Sequence, residues 1–154
     1  MIYLDNNATT PIAPAVKTCM DRFTKMYGNM SSAHYMGQQM RRLYDESVDA
    51  LTKILGAEGW SLYSCSSATE ATNWLFYSLF SQIKHVPRVI VSDIEHPCVS
   101  SVLQQYAANG VIELVTCSVD DKGVICLDEL NDLLNSNTVL VSVMLANNDT
   151  GTIQ

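Results

Sequence analysis

The chain has 154 residues, of which 47% are hydrophobic and 16% charged, and its formal net charge at pH 7 is −7. This length allows one domain to bury roughly two-thirds of its unfolded surface, and the acidic balance argues against a nucleic-acid surface. No apolar run is long enough to cross a bilayer, and the first residues lack the features of a signal peptide. We therefore expect a globular cytosolic protein that contacts neither nucleic acid nor membrane.

Residues 1–13 are predicted to form an extended segment, and residues 14–56 to form helices. Apolar residues recur with helical spacing from Pro14, and Gly28 is expected to end that first helix. After a second polar loop, a longer amphipathic stretch continues to Ile54. We see no linker between these helices and the residues that follow.

From residue 57 onward, short apolar runs alternate with amphipathic segments, a pattern typical of repeated βα units. Their near-continuous apolar strands predict an α/β fold with a mostly parallel sheet and helices on both faces. The last strand should leave an exposed sheet edge, which favours self-association. The predicted strands are Trp60–Tyr63, Arg88–Ser92, Val111–Cys117 and Thr138–Met144. The predicted helices are Thr69–Ile83, His96–Asn109 and a short helix that Asp128 caps and that ends at Leu134. The inner face of the first is predicted to consist of Ala71, Leu75, Leu79 and Ile83.

Three polar loops fall at predicted strand ends, where ligands bind in parallel sheets. Small hydroxylated residues at a helix start can bind an anion through free N–H groups, although Ser67 or Thr69 could simply cap the helix. His96 could likewise be an ordinary helix-start residue, and Asn147-Asn148 an ordinary turn. The predicted site is lined by Ser66, Ser67, Thr69, Glu95, His96, Asn147 and Asn148.

Five cysteines occur without a C-x-x-C pair, so we expect neither a disulfide framework nor a metal site. In a reducing compartment they should be free thiols, most of them buried as small hydrophobes.

Five short motifs occur in order along the whole chain. They are Tyr3-Leu4-Asp5-Asn6-Asn7-Ala8-Thr9-Thr10-Pro11, Gly28-Asn29-Met30-Ser31-Ser32-Ala33-His34, Ser66-Ser67-Ala68-Thr69-Glu70, Ile94-Glu95-His96-Pro97 and Asn147-Asn148-Asp149-Thr150-Gly151-Thr152-Ile153-Gln154. Together they resemble the motifs of cysteine desulfurases, in the class V aminotransferase family of pyridoxal 5'-phosphate (PLP) enzymes.

The resemblance implies the N-terminal part of an aspartate aminotransferase-like large domain that binds PLP. By position, Ala68 and Thr69 match the residues that hold the PLP phosphate. His96 matches the histidine that stacks on the pyridine ring and assists proton transfer, and Asn148 matches the asparagine that hydrogen-bonds the ring hydroxyl. The loops around Asn7 and His34 match segments near the substrate or the dimer partner, and Asn7 is the candidate substrate-binding residue. The family substrate is L-cysteine, and the complete enzyme is expected to be a homodimer.

Three departures from the family motifs stand out. Ser67 replaces a glycine beside the phosphate, and would be strained if that position required a positive φ. Met30 replaces a proline and Asp149 a glutamate.

The five lysines, at positions 17, 25, 53, 84 and 122, lie outside the family's lysine motif. None of the cysteines matches the one that takes up sulfur. In complete members both of those positions lie beyond the counterpart of Gln154, so the resemblance implies an N-terminal half that is inactive alone. Three hypotheses stay open: a fragment or half of a split desulfurase, with a complementing C-terminal half or a sulfur-acceptor protein; a non-catalytic remnant; and another class V enzyme such as a selenocysteine lyase.

Overall fold

A computed structural model of the chain describes residues 2–154, so Met1, the first residue of the predicted extended segment, lies outside the described residues. The chain forms two compact units that divide between Ser64 and Cys65. Among residues 2–154, no helix has the length and apolar character needed to span a bilayer. The first unit contains helices α1 (Pro14–Phe23) and α2 (Tyr35–Ile54). The second contains α3 (Ala68–Phe80), β1 (Arg88–Ser92), α4 (Pro97–Ala108), β2 (Glu113–Cys117), α5 (Leu127–Leu133) and β3 (Thr138–Ser142).

Both helices of the first unit form where apolar spacing predicts them. Helix α1 ends at Phe23, five residues before the predicted stop at Gly28, because Thr24 closes it with N–H bonds to Met20 and Arg22 carbonyls. Helix α2 begins after His34, whose side chain accepts a hydrogen bond from the Gly37 N–H at 3.3 Å. That bond satisfies one of the free donors of the first turn.

The second unit is built on a three-stranded parallel sheet in the order β2-β1-β3. Strand β1 is central, and its Ile90 is opposite Val115 of β2 and Val141 of β3. Since all three strands run the same way, their carboxyl ends lie at one edge. The predicted parallel α/β fold is therefore confirmed.

The predicted strand Trp60–Tyr63 is wrong, because these residues have no strand structure. A strand is held by ladder hydrogen bonds to a neighbour, and the sheet consists of β1, β2 and β3. Trp60 is 80% exposed, so burial does not replace the missing ladder. The apolar run fits a buried strand by composition alone, which is the known ambiguity of such short runs.

Helices α3 and α4 pack against the face of β1 that carries Val89 and Val91. Helix α3 contributes Phe76 and Phe80, and α4 contributes Leu103, all of them buried. The inner face predicted for α3 is therefore wrong at its N-terminal end, where Ala71 and Leu75 are exposed. The large phenylalanine rings instead define the inner face, since they bury more apolar area than Ala71 and Leu75 would.

The predicted short helix is also placed differently at its start. Helix α5 begins at Leu127 after Cys126, so Asp128 lies within the first turn instead of capping it. An acidic side chain there still interacts favourably with the helix dipole.

Strand β3 pairs with β1 on one side and, among the described residues, has no strand on the other. We expect the 154-residue chain to self-associate through this edge, because unpaired N–H and C=O groups template further pairing. Val141→Lys should reduce the association seen by light scattering, since a lysine on an edge strand opposes pairing. Val111→Lys is the matched control, because Val111 and Val141 are equally exposed at 38% and Val111 precedes β2. A wild-type monomer at high concentration, or equal effects of both substitutions, would contradict this expectation.

Candidate functional site

The start of α3 is closed by its own side chains. Ser67 is the N-cap, and its hydroxyl accepts a hydrogen bond from the Glu70 N–H at 3.2 Å. The Glu70 carboxylate reaches back to the Ser66 N–H at 2.6 Å and the Ser66 hydroxyl at 2.7 Å. This is a reciprocal arrangement related to the capping box. These bonds lower the pKa of Glu70, so its negative charge is already satisfied by Ser66.

Ser67 causes no backbone strain in this position. Its φ of −161° and ψ of 164° describe extended backbone, which any residue adopts. In the described part of the chain, all residues with positive φ are glycines. The replacement of the family glycine therefore leaves the loop conformation unstrained.

Two N–H groups and one hydroxyl remain available at this helix start. Among residues 2–154, the N–H groups of Ala68 and Thr69 and the Thr69 hydroxyl make no hydrogen bond, and both residues are exposed. Three convergent donors at the positive end of a helix dipole suit a phosphate group. The donor set thus fits the phosphate of PLP.

His96 is the N-cap of α4, directly before Pro97 at the first helical position. Its Nδ1 accepts a hydrogen bond from the Cys98 N–H at 3.0 Å. In the neutral imidazole the proton must then be on Nε2. The ring is fixed through one nitrogen while the residue remains exposed, so a planar ligand has access to it.

Asn147 and Asn148 have different environments although they are neighbours. Asn147 is 7% exposed. Its Oδ1 accepts hydrogen bonds from the Asp149 and Thr150 N–H groups, each at 2.9 Å, and its Nδ2 donates to the Ile94 carbonyl at 3.1 Å. Asn148 is exposed, and its Nδ2 donates to Asp149 Oδ1 at 3.1 Å. Asn147 is therefore a structural residue, and Asn148 keeps an accessible amide donor.

Glu95 is half-buried beside His96. Its carboxylate accepts a hydrogen bond from the Ser142 hydroxyl at the end of β3, at 3.2 Å. Burial raises the pKa of Glu95, and the bond from Ser142 and the N–H groups of Met144 and His96 partly oppose that shift. The sequence predicts Glu95 as a lining residue of the site but indicates no role for it. Its partner, 47 residues away, has no signal in the local sequence.

The raised pKa of Glu95 predicts a pH-dependent effect of Glu95→Gln. A carboxyl whose pKa rises on folding contributes stability below its unfolded pKa and loses it as pH rises through the folded pKa. Glu95→Gln should therefore equal or exceed wild type in stability at pH 7, by less than about 1 kcal/mol because the group is half exposed. The difference should shrink towards pH 4 in urea denaturation experiments.

Glu113→Gln provides the comparison with the opposite sign. The bond from Arg88 lowers the pKa of Glu113, so this variant should lose stability at pH 7 and lose less as the pH falls. If the stability change of the two variants varied with pH in the same direction, the opposite pKa shifts of Glu95 and Glu113 would be contradicted.

The starts of α3 and α4 lie at the same end of the second unit. The Phe80 ring near the end of α3 contacts the Tyr106 ring late in α4, with centroids 5.0 Å apart. Asn73 and Val102, each five residues after the first residue of its helix, line one groove. The two helices therefore run in the same direction. Because α4 starts just after the carboxyl end of β1, α3 also starts towards that edge.

The strand order changes direction at this edge. The chain passes from β1 to β2 on one side, and β3 then lies on the other side of β1. Such a topological switch point is where parallel α/β sheets bind ligands. The structure thus brings the loops carrying His96 and Asn148 together through two side-chain bonds, and the topology directs Thr69 towards the same edge. Asn7 belongs to the first unit, where it is exposed in a turn, and its role stays a prediction.

The loop that carries Asn148 is anchored at its far end to a short hairpin, residues 119–125, in which Val119 pairs antiparallel with Ile125. The Thr152 hydroxyl donates to the Lys122 carbonyl at 2.7 Å, and Gln154 Nε2 donates to the Gly123 carbonyl at 2.7 Å. Gln154 Oε1 also accepts a hydrogen bond from the Ile125 N–H at 2.9 Å. These contacts fix the loop independently of its bond to Ile94.

The cysteines are less buried than expected. All five are described and free of disulfides, but only Cys117 is buried, and burial raises the pKa of its thiol. Cys19 is exposed and the other three are intermediate. In residues 2–154, no group of three or more His, Cys, Asp or Glu side chains is arranged to hold a metal ion.

Comparison with known proteins identifies relatives of this chain. A family model described as aminotransferase class V matches residues 2–154. A cysteine desulfurase from a Nostoc species is 36% identical over 154 residues, covering 99% of this chain and 38% of the relative. The cysteine desulfurase NifS of Azotobacter vinelandii is 35% identical, with the same coverage. The chain thus spans about two-fifths of the length of these relatives.

Solved structures show the same partial correspondence. A NifS-like protein superposes with a TM-score of 0.88 at 34% identity, covering 97% of this chain and 41% of that one. A structure described as SspA in complex with cysteine gives a TM-score of 0.89 at 24% identity, covering 99% and 44%. The second likeness shows the fold alone.

Proposed function

Because this chain belongs to the class V aminotransferase family, we propose that it forms the PLP-binding, amino-terminal part of a cysteine desulfurase. The complete protein would remove sulfur from L-cysteine, giving alanine and an enzyme persulfide for iron–sulfur cluster or thio-cofactor supply. The observation that carries this proposal is the set of free donors of Ala68 and Thr69, at the sheet edge where the loops with His96 and Asn148 also meet. Relatives named cysteine desulfurase support the choice within the family.

Each residue has a distinct task in the proposed site. The N–H groups of Ala68 and Thr69 and the Thr69 hydroxyl bind the phosphate, and the His96 imidazole stacks on the ring. When bound, PLP supplies an electron sink for the substrate carbanion. Fixed through Nδ1 by the Cys98 N–H, His96 presents Nε2 to hold or move a proton. The Asn148 amide would donate to the ring hydroxyl.

Part of the chemistry requires groups outside these 154 residues. No lysine here lies in the family's lysine motif, and no cysteine matches the one that takes up sulfur. We propose that this chain alone neither attaches PLP covalently nor turns over L-cysteine. We propose that the complete enzyme includes a complementing carboxyl-terminal half, is a homodimer and is cytosolic. It would pass sulfur to a sulfur-acceptor protein. Asn7 is proposed to lie near its substrate.

A second candidate is a non-catalytic remnant that binds PLP weakly or not at all. The DNA beyond codon 154 separates these possibilities. A continuing reading frame with the lysine motif indicates a fragment, a separate neighbouring frame with that motif indicates a split enzyme, and neither indicates a remnant.

Binding and covalent attachment of PLP are tested separately on the purified chain. We expect saturable PLP binding, followed by absorbance, which inorganic phosphate competes away because it occupies the same donors. After borohydride reduction, mass mapping should find no stoichiometric lysine adduct. A stoichiometric adduct on one lysine would refute the proposal that this chain does not attach PLP covalently. The absence of phosphate-sensitive binding would refute the proposed site.

A further inference from the structure

Two side-chain hydrogen bonds cross between the β1 loop (residues 93–96) and the β3 segment (residues 142–151). Asn147 Nδ2 donates to the Ile94 carbonyl at 3.1 Å, from a residue 53 positions away. The Ser142 hydroxyl donates to Glu95 Oε1 at 3.2 Å. One bond uses an amide of the β3 segment and the other a carboxylate of the β1 loop. Each side therefore contributes a side chain that holds the other.

Both side chains are fixed by their surroundings. Asn147 is 7% exposed, and its oxygen accepts N–H bonds from Asp149 and Thr150 within its own loop. Its amide nitrogen is consequently held in one orientation, towards Ile94. Glu95 is half-buried, and burial raises its pKa. Its carboxylate accepts hydrogen bonds from the Ser142 hydroxyl and from the N–H groups of Met144 and His96, which hold the side chain in place.

Each of these residues directly precedes a residue of the proposed cofactor site. Glu95 precedes His96, whose Nδ1 bond to the Cys98 N–H fixes the start of α4. Asn147 precedes the exposed Asn148. The two bridges therefore join the two segments that carry the imidazole and the amide.

We propose that Glu95 and Asn147 form a reciprocal clamp, whose function is to position His96 and Asn148 relative to each other. Neither residue needs to touch a ligand for this role. The clamp itself is a property of the free chain, and only its consequence for PLP rests on the proposed function.

The test measures amide hydrogen exchange by NMR on the full 154-residue chain without PLP. Ser142→Ala removes the hydroxyl bond to Glu95 and leaves the one from the Met144 N–H. Asn147→Asp removes the bond to Ile94 while it keeps the oxygen that orders its own turn. Both variants should speed exchange at the Cys98 N–H, in the first turn of α4 directly after the β1 loop, by about fivefold, the change expected for one lost hydrogen bond. Glu95→Ala should do the same at the Thr150 N–H. Glu95→Gln, which can still accept from Ser142, should remain near wild type.

The controls separate positioning from general loosening. Ser101→Ala and Asn131→Asp make the same chemical changes at exposed helix positions whose side chains form no hydrogen bond among the described residues. The Ile90 N–H in the central strand reports global opening and should not change in any variant. Unchanged exchange across the two loops, or equal acceleration at Ile90, would overturn the clamp.

A second measurement connects the clamp with the site. The variant Ser142→Ala/Asn147→Asp should bind PLP about tenfold more weakly than wild type. Two hydrogen bonds are lost, and each contributes roughly 0.5–1.5 kcal/mol. If wild type does not bind PLP, the proposed function fails while the exchange result still decides the clamp. If wild type binds and the double variant binds equally well, the positioning role is overturned.

Discussion

Replacing Thr69 with alanine is expected to weaken PLP binding by about tenfold or more. The Thr69 hydroxyl is one of three donors available at the start of α3, and a hydrogen bond to a charged group contributes about 1.5–3 kcal/mol. The site is exposed, so the lower end of that range applies. Alanine has a higher helix propensity than threonine, so the lost affinity cannot be attributed to unfolding of α3.

Two comparisons isolate the phosphate contact in this experiment. Thr69→Ser keeps a hydroxyl and should retain most of the affinity, measured by absorbance titration with PLP. Pyridoxal, which lacks the phosphate, should bind weakly to wild type and should lose little further affinity in Thr69→Ala. If the substitution weakens pyridoxal and PLP equally, the Thr69 hydroxyl does not contact the phosphate.

The parts of the fold that could be predicted from the sequence are those with strong local signals. The central strand Arg88–Ser92 forms as predicted, because a β-branched run is bounded by Pro87 and Asp93. Helices α3 and α4 start within a residue of the predicted positions, since small polar and proline residues mark helix starts. The gathering of the β1 and β3 loops at the carboxyl edge follows from the same pattern, because parallel βα units place their loops together.

What could not be predicted depends on contacts that are distant in sequence. The apolar run at Trp60–Tyr63 is not a strand, because only a neighbouring strand could have made it one. The inner face of α3 is set by Phe76 and Phe80, whose partners in β1 and α4 lie beyond the helix itself. Periodicity identifies an amphipathic helix, but the rotation of the helix is decided by packing.

The candidate site shows the same division. Motif resemblance selects Thr69, His96 and Asn148 individually. The side chains that join their loops, Glu95 and Asn147, bond partners 47 and 53 residues away. Asn147 would be interpreted locally as a turn residue, and its Oδ1 bonds to Asp149 and Thr150 agree with that. Its Nδ2 bond to Ile94 has no local signature.

Replacing Gly123 with alanine is expected to cost about 2–3 kcal/mol and to loosen the loop that carries Asn148. Gly123 has φ +78°, and a left-handed backbone costs a residue with a Cβ about 1–2 kcal/mol. That added Cβ would lie 3.1 Å from the Thr152 hydroxyl oxygen. Since Thr152 bonds the Lys122 carbonyl and Gln154 bonds the Gly123 carbonyl, any shift to relieve the contact displaces the anchor of the loop.

Gly110→Ala separates the backbone cost from the packing cost. Gly110 has a similar φ of +70°, but nothing lies within 4 Å of the Cβ that alanine would add. Its expected loss is therefore the backbone cost alone, about 1–2 kcal/mol. Urea denaturation followed by circular dichroism gives both values, and amide exchange at Asn147 and Gly151 should rise only in Gly123→Ala. Equal losses with unchanged exchange would mean that the hairpin does not anchor the loop, and that Asn148 is held by the bridge from Asn147 to Ile94 alone.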